Sequence, residues 1–257
     1  MHGEKYLGMR PGDLDGKPYA RQWHPEMAPL PEPARGAPAT GPQAAEPGRA
    51  VAEATRLLEP GDLPLENGST RLRNGRVFAA APTPMPGVTS EMIDWWFGWH
   101  AMETQRYKLW HPRAHVANRM ERPVGDDSGL SDREKYLHNP NHVTEYVGSQ
   151  RLDIAITFSE PSEVLDVARF AEAGVGTVVL GTVSHPRLPV AFALLLHQIR
   201  RTPDGCEMRS RFWLGDLDPP EVAPDPASRA ALFPDRVGEG LQRHCHEEMT
   251  YLAGFLP

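Results

Sequence analysis

The side chains with the most chemistry to offer stand together in one late stretch, "LQRHCHEEMTYLAGFLP", where two His and two Glu fall between His244 and Glu248. An α-helix advances about 100° per residue, so positions three or four apart share a face. Leu241, Cys245, Met249 and Leu252 keep that spacing and define a buried side. His244 and Glu248 fall on the same side, while His246 and Glu247 rotate towards solvent. Burying an unpaired carboxylate costs several kcal/mol, so Glu248 requires a strong partner. His244 is one, through an i,i+4 hydrogen bond at the edge of the core. A divalent cation is another, because His-x-x-x-Glu presents two ligands to it from one side. The spacing leaves both open.

Further nitrogen and oxygen donors lie elsewhere. "HPRAH" sets His111 and His115 four apart, but Pro112 makes His111 as good a helix cap as a ligand. "NHVTEYVGS" places His142 and Glu145 near the start of a strand. Each has an ordinary reading as well: a satisfied core histidine for His115, a solvated strand carboxylate for Glu145. In "AFALLLHQI", alternation turns Ala191, Ala193, Leu195, His197 and Ile199 to one face. The small residues there leave room, and His197 points into it. The residues thus suggest a mixed nitrogen–oxygen site drawn from separate elements, without choosing its members.

Those elements must come from an unevenly built chain of 257 residues. Residues 1 to about 60 hold ten of its 27 Pro, so residues 1–70 are expected to be mostly irregular and 71–257 to form the main domain. Ala50–Leu58 is expected as a short helix, and Asn74-Gly75 as a hairpin turn. "PGVTSEMIDWWFGWHAMETQRYKLW" is expected as one helix starting at Thr89 or Ser90, with Ile93, Trp96, Phe97, His100 and Met102 crowded on one side. Pro112 is placed to open another short helical piece. Strands follow from His142, interrupted by an expected helix over Ser162–Ala173, and a long helix runs from about Arg236. Strands joined mainly by short turns predict an α+β fold, a curved antiparallel sheet gripping the last helix with a cavity between them.

Composition excludes several function classes. A net charge of −7 and a pI near 5.9 argue against nucleic acid or an anionic membrane as partner. No apolar run approaches the roughly 20 residues that span a bilayer, and the first residues hold no apolar signal core. Two Cys give neither a disulfide framework nor a thiolate metal pattern, so a cytoplasmic location is expected.

Four blocks taken together, "PTPMPGVTSEMIDWWFGWH", "RYKLWHPRAHV", "DGCEMRSRFWLGD" and "HCHEEMTYLAGFLP", resemble the 2,4-diacetylphloroglucinol hydrolase family and its relative phloretin hydrolase. The likeness runs from about Tyr6 and is firm from Asn74 onward. It implies a Bet v 1-like helix-grip domain, a homodimer, and hydrolysis of the carbon–carbon bond joining an acyl group to a phloroglucinol-type ring. It also implies a zinc ion held by two His and two Glu, which carry over to His115, Glu145, His244 and Glu248. Tyr107 and Asn118 then fall where the family contacts substrate. His197 matches a pocket histidine, with His185 as a fallback. Phe212 stands where a substrate-bonding Tyr is expected, a departure that bears on the preferred phenol. In such a site zinc would lower the pKa of water towards about 7 and polarise the acyl oxygen, although mixed His/carboxylate sites accept other divalent ions too. His197, Tyr107 and Glu145 would share the proton handling. The implied partner is a small acylated phenol. A helix-grip carrier that binds aromatic ligands without catalysis is the competing reading, and it gives no use for buried carboxylates.

Overall fold

The computed structural model describes residues 8–36, 51–223 and 225–256. Within the Pro-rich first 60 or so residues, positions 1–7 and 37–50 therefore lie outside the described residues, Ala50 of the expected short helix among them. Eight strands form one antiparallel sheet: β1 (Gly68–Arg71), β2 (Val77–Pro86), β3 (His115–Met120), β4 (Asn141–Val147), β5 (Gln150–Ser159), β6 (Val175–Ser184), β7 (Ala191–Thr202) and β8 (Gly205–Asp218). Their spatial order is β1-β2-β8-β7-β6-β5-β4-β3. The helices are α1 (Glu32–Gly36), α2 (Ser90–His100), α3 (Thr104–Trp110), α4 (Asp132–Tyr136), α5 (Pro226–Leu232) and α6 (Asp235–Ala253). This is the α+β helix grip expected from the pattern of elements, with α6 packed across β1, β2 and β4.

Period-two alternation explains how one sheet carries two cores. On β8, Met208, Phe212 and Leu214 face α6, whereas Trp213 faces the other way. The concave side buries Ile93, Trp96, Phe97, Ile199, Met249 and Leu252. Behind the sheet, Leu57 and Leu58 of the 3-10 segment Val51–Leu58 cover Phe78, Leu180, Leu196 and Trp213. Each such side chain contributes roughly 1.5–3 kcal/mol through burial. Arg209 and Arg211 also point to the back, where Glu66 pairs with both. The hairpin turn lies at Asn74-Gly75 as expected; Gly75 has φ +83° and leaves no room for a Cβ against the Pro226 backbone.

Three expected helices differ. The expected single helix from Thr89 to Trp110 is two, broken at Ala101–Glu103. The Asn118 amide donates to the Ala101 carbonyl at 2.7 Å, capturing a group that helix continuation would need. Ser162–Ala173 is not an α-helix but a pair of short 3-10 turns, Pro161–Glu163 and Val167–Arg169. Asp166 accepts from the Ala168 N–H, a local bond that competes with the helical ladder. After Pro112 the chain makes one turn, with the His115 N–H on the His111 carbonyl at 2.9 Å, and enters β3 at once. Among the described residues no helix is long and apolar enough to cross a membrane.

Candidate metal centre and ligand chamber

Two strands and one helix bring the donors together. His115 opens β3 directly opposite Glu145 of β4, and a register shift between His115 and Ala117 bends the ladder at that point. α6 lies over this corner with His244 and Glu248 one turn apart. Nε2 of His115 is 4.0 Å from Glu145 Oε2 and 3.5 Å from Glu248 Oε2. Nε2 of His244 is 3.7 Å from the same Glu248 oxygen. His115, Glu145 and His244 each offer an atom within 4.8 Å of the others.

The surroundings prepare these groups as ligands. Nδ1 of His115 donates to the Tyr107 carbonyl at 2.9 Å, which leaves Nε2 unprotonated in the neutral ring. That Nε2 has no hydrogen-bond partner among the described residues. His244 is similarly tied to the Tyr146 carbonyl. Burial, together with the neighbouring imidazoles, holds His115 well below its ordinary value of 6.5. Burial lowers His244 to about 4. Both rings are therefore neutral at pH 7. Burial raises Glu248 well above 4.5, reinforced by the charges of Glu145 and Glu247. Two bare imidazole nitrogens facing two crowded carboxylates form a donor set that a divalent cation fits, since it would remove the repulsion that burial enforces.

Tyr107 adds a second layer. Its ring stacks on His115 with centroids 3.8 Å apart, and its hydroxyl donates to Glu145 Oε2 at 2.6 Å. Burial, then the Glu145 charge, pushes the Tyr107 hydroxyl well above 10, so it stays a proton donor.

From this corner a chamber runs between sheet and helix, enclosing about 930 Å³ with its mouth included. Val143, Ile154, Val183, Leu195, Phe212 and Leu214 are among its apolar walls. His197 lies on the wall, with Nδ1 2.8 Å from the Ser210 hydroxyl and burial lowering it to about 3. Phe212 meets the His197 ring edge-on at 5.8 Å.

With this geometry in view, comparison with known proteins assigns the chain. The family model described as "DAPG hydrolase PhiG domain" matches residues 49–257. The chain belongs to that family. A 2,4-diacetylphloroglucinol hydrolase of Pseudomonas protegens is 32% identical over 94% of this chain and 83% of that protein. A namesake from Pseudomonas sp is also 32% identical, over 94% of this chain and 86% of that one. The phloretin hydrolase of Eubacterium ramulus is 28% identical over 93% and 88%.

Within this DAPG hydrolase family member, the structure gathers some expected residues and separates others. His115, Glu145, His244, Glu248, Tyr107, His197 and Phe212 all border the chamber. Asn118 does not; its amide nitrogen donates to the Ala101 carbonyl and ties β3 to the break after α2, while its buried amide oxygen has no partner among the described residues. His185 is exposed just past β6 and accepts the Arg187 and Leu188 N–H groups, so the pocket histidine is His197. His246, expected at the surface, is 1% exposed and shares a 2.8 Å hydrogen bond with Asn67. The loop before β1 covers that face of α6. Glu247 is likewise not freely solvated: burial opposes its charge, yet the His111 ring 3.4 Å away and a hydrogen bond from Arg243 hold it down to about 2. His111 does terminate α3, but it is also buried and stacks on His244 at 4.9 Å. His100, Trp110 and Asn141 line the chamber without having been singled out as site residues. For His100 the only signal was a polar residue on the crowded apolar side of its helix.

Proposed function

We propose that this protein hydrolyses the carbon–carbon bond between an acyl group and a polyhydroxylated aromatic ring, releasing a carboxylic acid and the deacylated phenol. The supporting observation is the convergence of His115, Glu145, His244 and Glu248 at one end of an apolar chamber. These four side chains hold the divalent cation, zinc by the family resemblance. Bound there, it supplies Lewis acidity towards the acyl oxygen and lowers the pKa of water. The relatives' names, 2,4-diacetylphloroglucinol hydrolase and phloretin hydrolase, support an acylated phenol as substrate.

The chain's own groups have distinct tasks. Apolar walls take up the ring and exclude bulk water, which strengthens every polar contact inside. A ring hydroxyl first gives its proton to the acyl-bearing carbon, making a ring ketone. Water then adds to the acyl carbon, the carbon–carbon bond breaks, and its electron pair passes into the ring, where it is delocalised onto ring oxygens. His197, steadied by Ser210, and the Tyr107 hydroxyl hydrogen-bond those oxygens. The ring oxygen then takes up the proton that water gives up, and Tyr107 and Glu145, already sharing a hydrogen bond, carry it. Water's other atoms leave with the acid.

Purified protein, metal-loaded and chelator-treated, is incubated with 2,4-diacetylphloroglucinol while acetate release and bound metal are measured. Acetate formed only by the loaded protein, with about one divalent ion per chain, is expected. Tight ligand binding with no acetate under either condition would make the protein a carrier and sink the proposal.

A further inference from the structure

His100 closes α2 and is buried among rings: it stacks on Trp96 at 5.2 Å and meets Phe97 edge-on at 5.4 Å and Trp110 at 4.8 Å. Among the described residues its one side-chain hydrogen bond joins Nδ1 to the Trp96 carbonyl at 2.7 Å. A carbonyl only accepts, so Nδ1 carries the ring's proton. Burial holds His100 down to about 4, so the ring carries no second proton at pH 7 and Nε2 is a bare acceptor. The ring lines the chamber, and so does Trp110. The Trp110 indole N–H is itself buried and has no partner among the described residues. A fixed acceptor and an unpaired donor thus belong to two rings of the chamber wall whose centroids are 4.8 Å apart.

A hydroxyl satisfies both at once, because it donates one hydrogen bond and accepts another. Water would do so too, but the walls around the pair are aromatic and suit the apolar face of a ring that carries the hydroxyl. We infer that His100 and Trp110 form the subsite for a ring hydroxyl of the phenolic substrate, with His100 Nε2 accepting its proton in a hydrogen bond and Trp110 Nε1 donating to its oxygen. The subsite makes His100 a specificity-determining residue: it favours a ring with a free hydroxyl over one that is bare or capped. It deepens the proposed function and rests on the same chamber, while using neither the cation nor the four residues that hold it.

The test uses metal-loaded protein and two ligands without a carbonyl to cleave. Ethylphloroglucinol keeps three ring hydroxyls, and ethylbenzene has none. Replacing His100→Phe keeps the stack on Trp96 and removes the acceptor. The variant is expected to bind ethylphloroglucinol about tenfold more weakly than the parent, as for one lost neutral hydrogen bond, and ethylbenzene within about twofold. Equal weakening for both ligands would mean that the ring only fills space, and would overturn the inference. Ring nitrogen-15 NMR of the parent gives a check that needs no variant. His100 should show the Nδ1–H tautomer, and its Nε2 signal should move with ethylphloroglucinol and not with ethylbenzene. An Nε2–H tautomer, or an unmoved signal, would overturn it as well. Cleavage of 2,4-diacetylphloroglucinol is assayed separately. A parent that binds ethylphloroglucinol through His100 yet releases no acetate would support the subsite and refute the hydrolase.

Discussion

Replacing Glu248→Gln should make the metal-free protein more stable and the metal-loaded protein less so. Without a cation, Glu248 is buried beside Glu145 and Glu247, and its pKa lies well above 4.5. Holding a proton at pH 7 on a group that is ionised when unfolded costs the distance from 4.5 to 7, a ceiling of about 3 kcal/mol. Gln keeps the shape and removes this penalty, but its amide must still find partners, so a gain of about 1–2 kcal/mol remains. For a chain of this size that raises Tm by roughly 2–8 °C. With cation at a hundred times the parent's Kd, the parent gains about 2.7 kcal/mol, while a variant binding a hundredfold more weakly gains only about 0.4. The ranking of the two proteins therefore reverses on adding metal. The sign also fixes the pH dependence. A raised carboxyl pKa leaves stability intact below the unfolded value and removes it as pH rises, so the metal-free gap should close at and below pH 4.5. Thermal melts of both proteins, with and without zinc, across pH 4 to 8 read all of this. A metal-free variant that melts below the parent at pH 7 while zinc raises both equally would refute the reasoning about Glu248.

Tyr107→Phe removes the 2.6 Å hydrogen bond to Glu145 and keeps the ring stacked on His115. Metal affinity should fall about 10–100-fold, read by chelator competition, with Tm of the metal-free protein changed little. Acid should unfold the metal-free protein early. His100, His244 and His246 are each lowered from 6.5 to about 4, and His197 to about 3, by burial. A depressed histidine contributes stability that is present above 6.5 and lost as pH falls, on the order of 3 kcal/mol each by pH 4. Together, at about 12 kcal/mol, they are comparable to the whole stability of an ordinary domain, so circular dichroism should show cooperative unfolding between pH 6 and 4. A protein still folded at pH 4 would contradict that burial.

How far the sequence alone reaches depends on the range of the interaction involved. His244 and Glu248 share one helix, so the 3.6-residue period sets them on one face without any knowledge of the rest of the chain. His197 is as local, since strand alternation aims it inward with Ala193 and Leu195, and the chamber lining includes all three. Glu145 is different. Its approach to His115 depends on β3 pairing with β4 across the loop from 121 to 140, and no spacing rule states that register. Only the likeness to a family selected it from its neighbours.

The misreadings have the same physical origin. The helical period alone turns His246 to solvent, whereas Asn67 and the loop leading into β1 close over that side. Residues 162–173 have helical apolar spacing, yet Asp166 prefers its own short bond and the segment settles as turns. His100 went unnoticed for a subtler reason. A histidine among Ile93, Trp96 and Phe97 looks like filling, and its burial alone would leave it so. What distinguishes it is the pairing of its two nitrogens, one fixed by a carbonyl of its own helix and the other left facing the chamber. A buried polar atom that its own fold leaves unpaired is better evidence of a ligand than its residue type, because the cost of leaving it bare must be recovered when something binds.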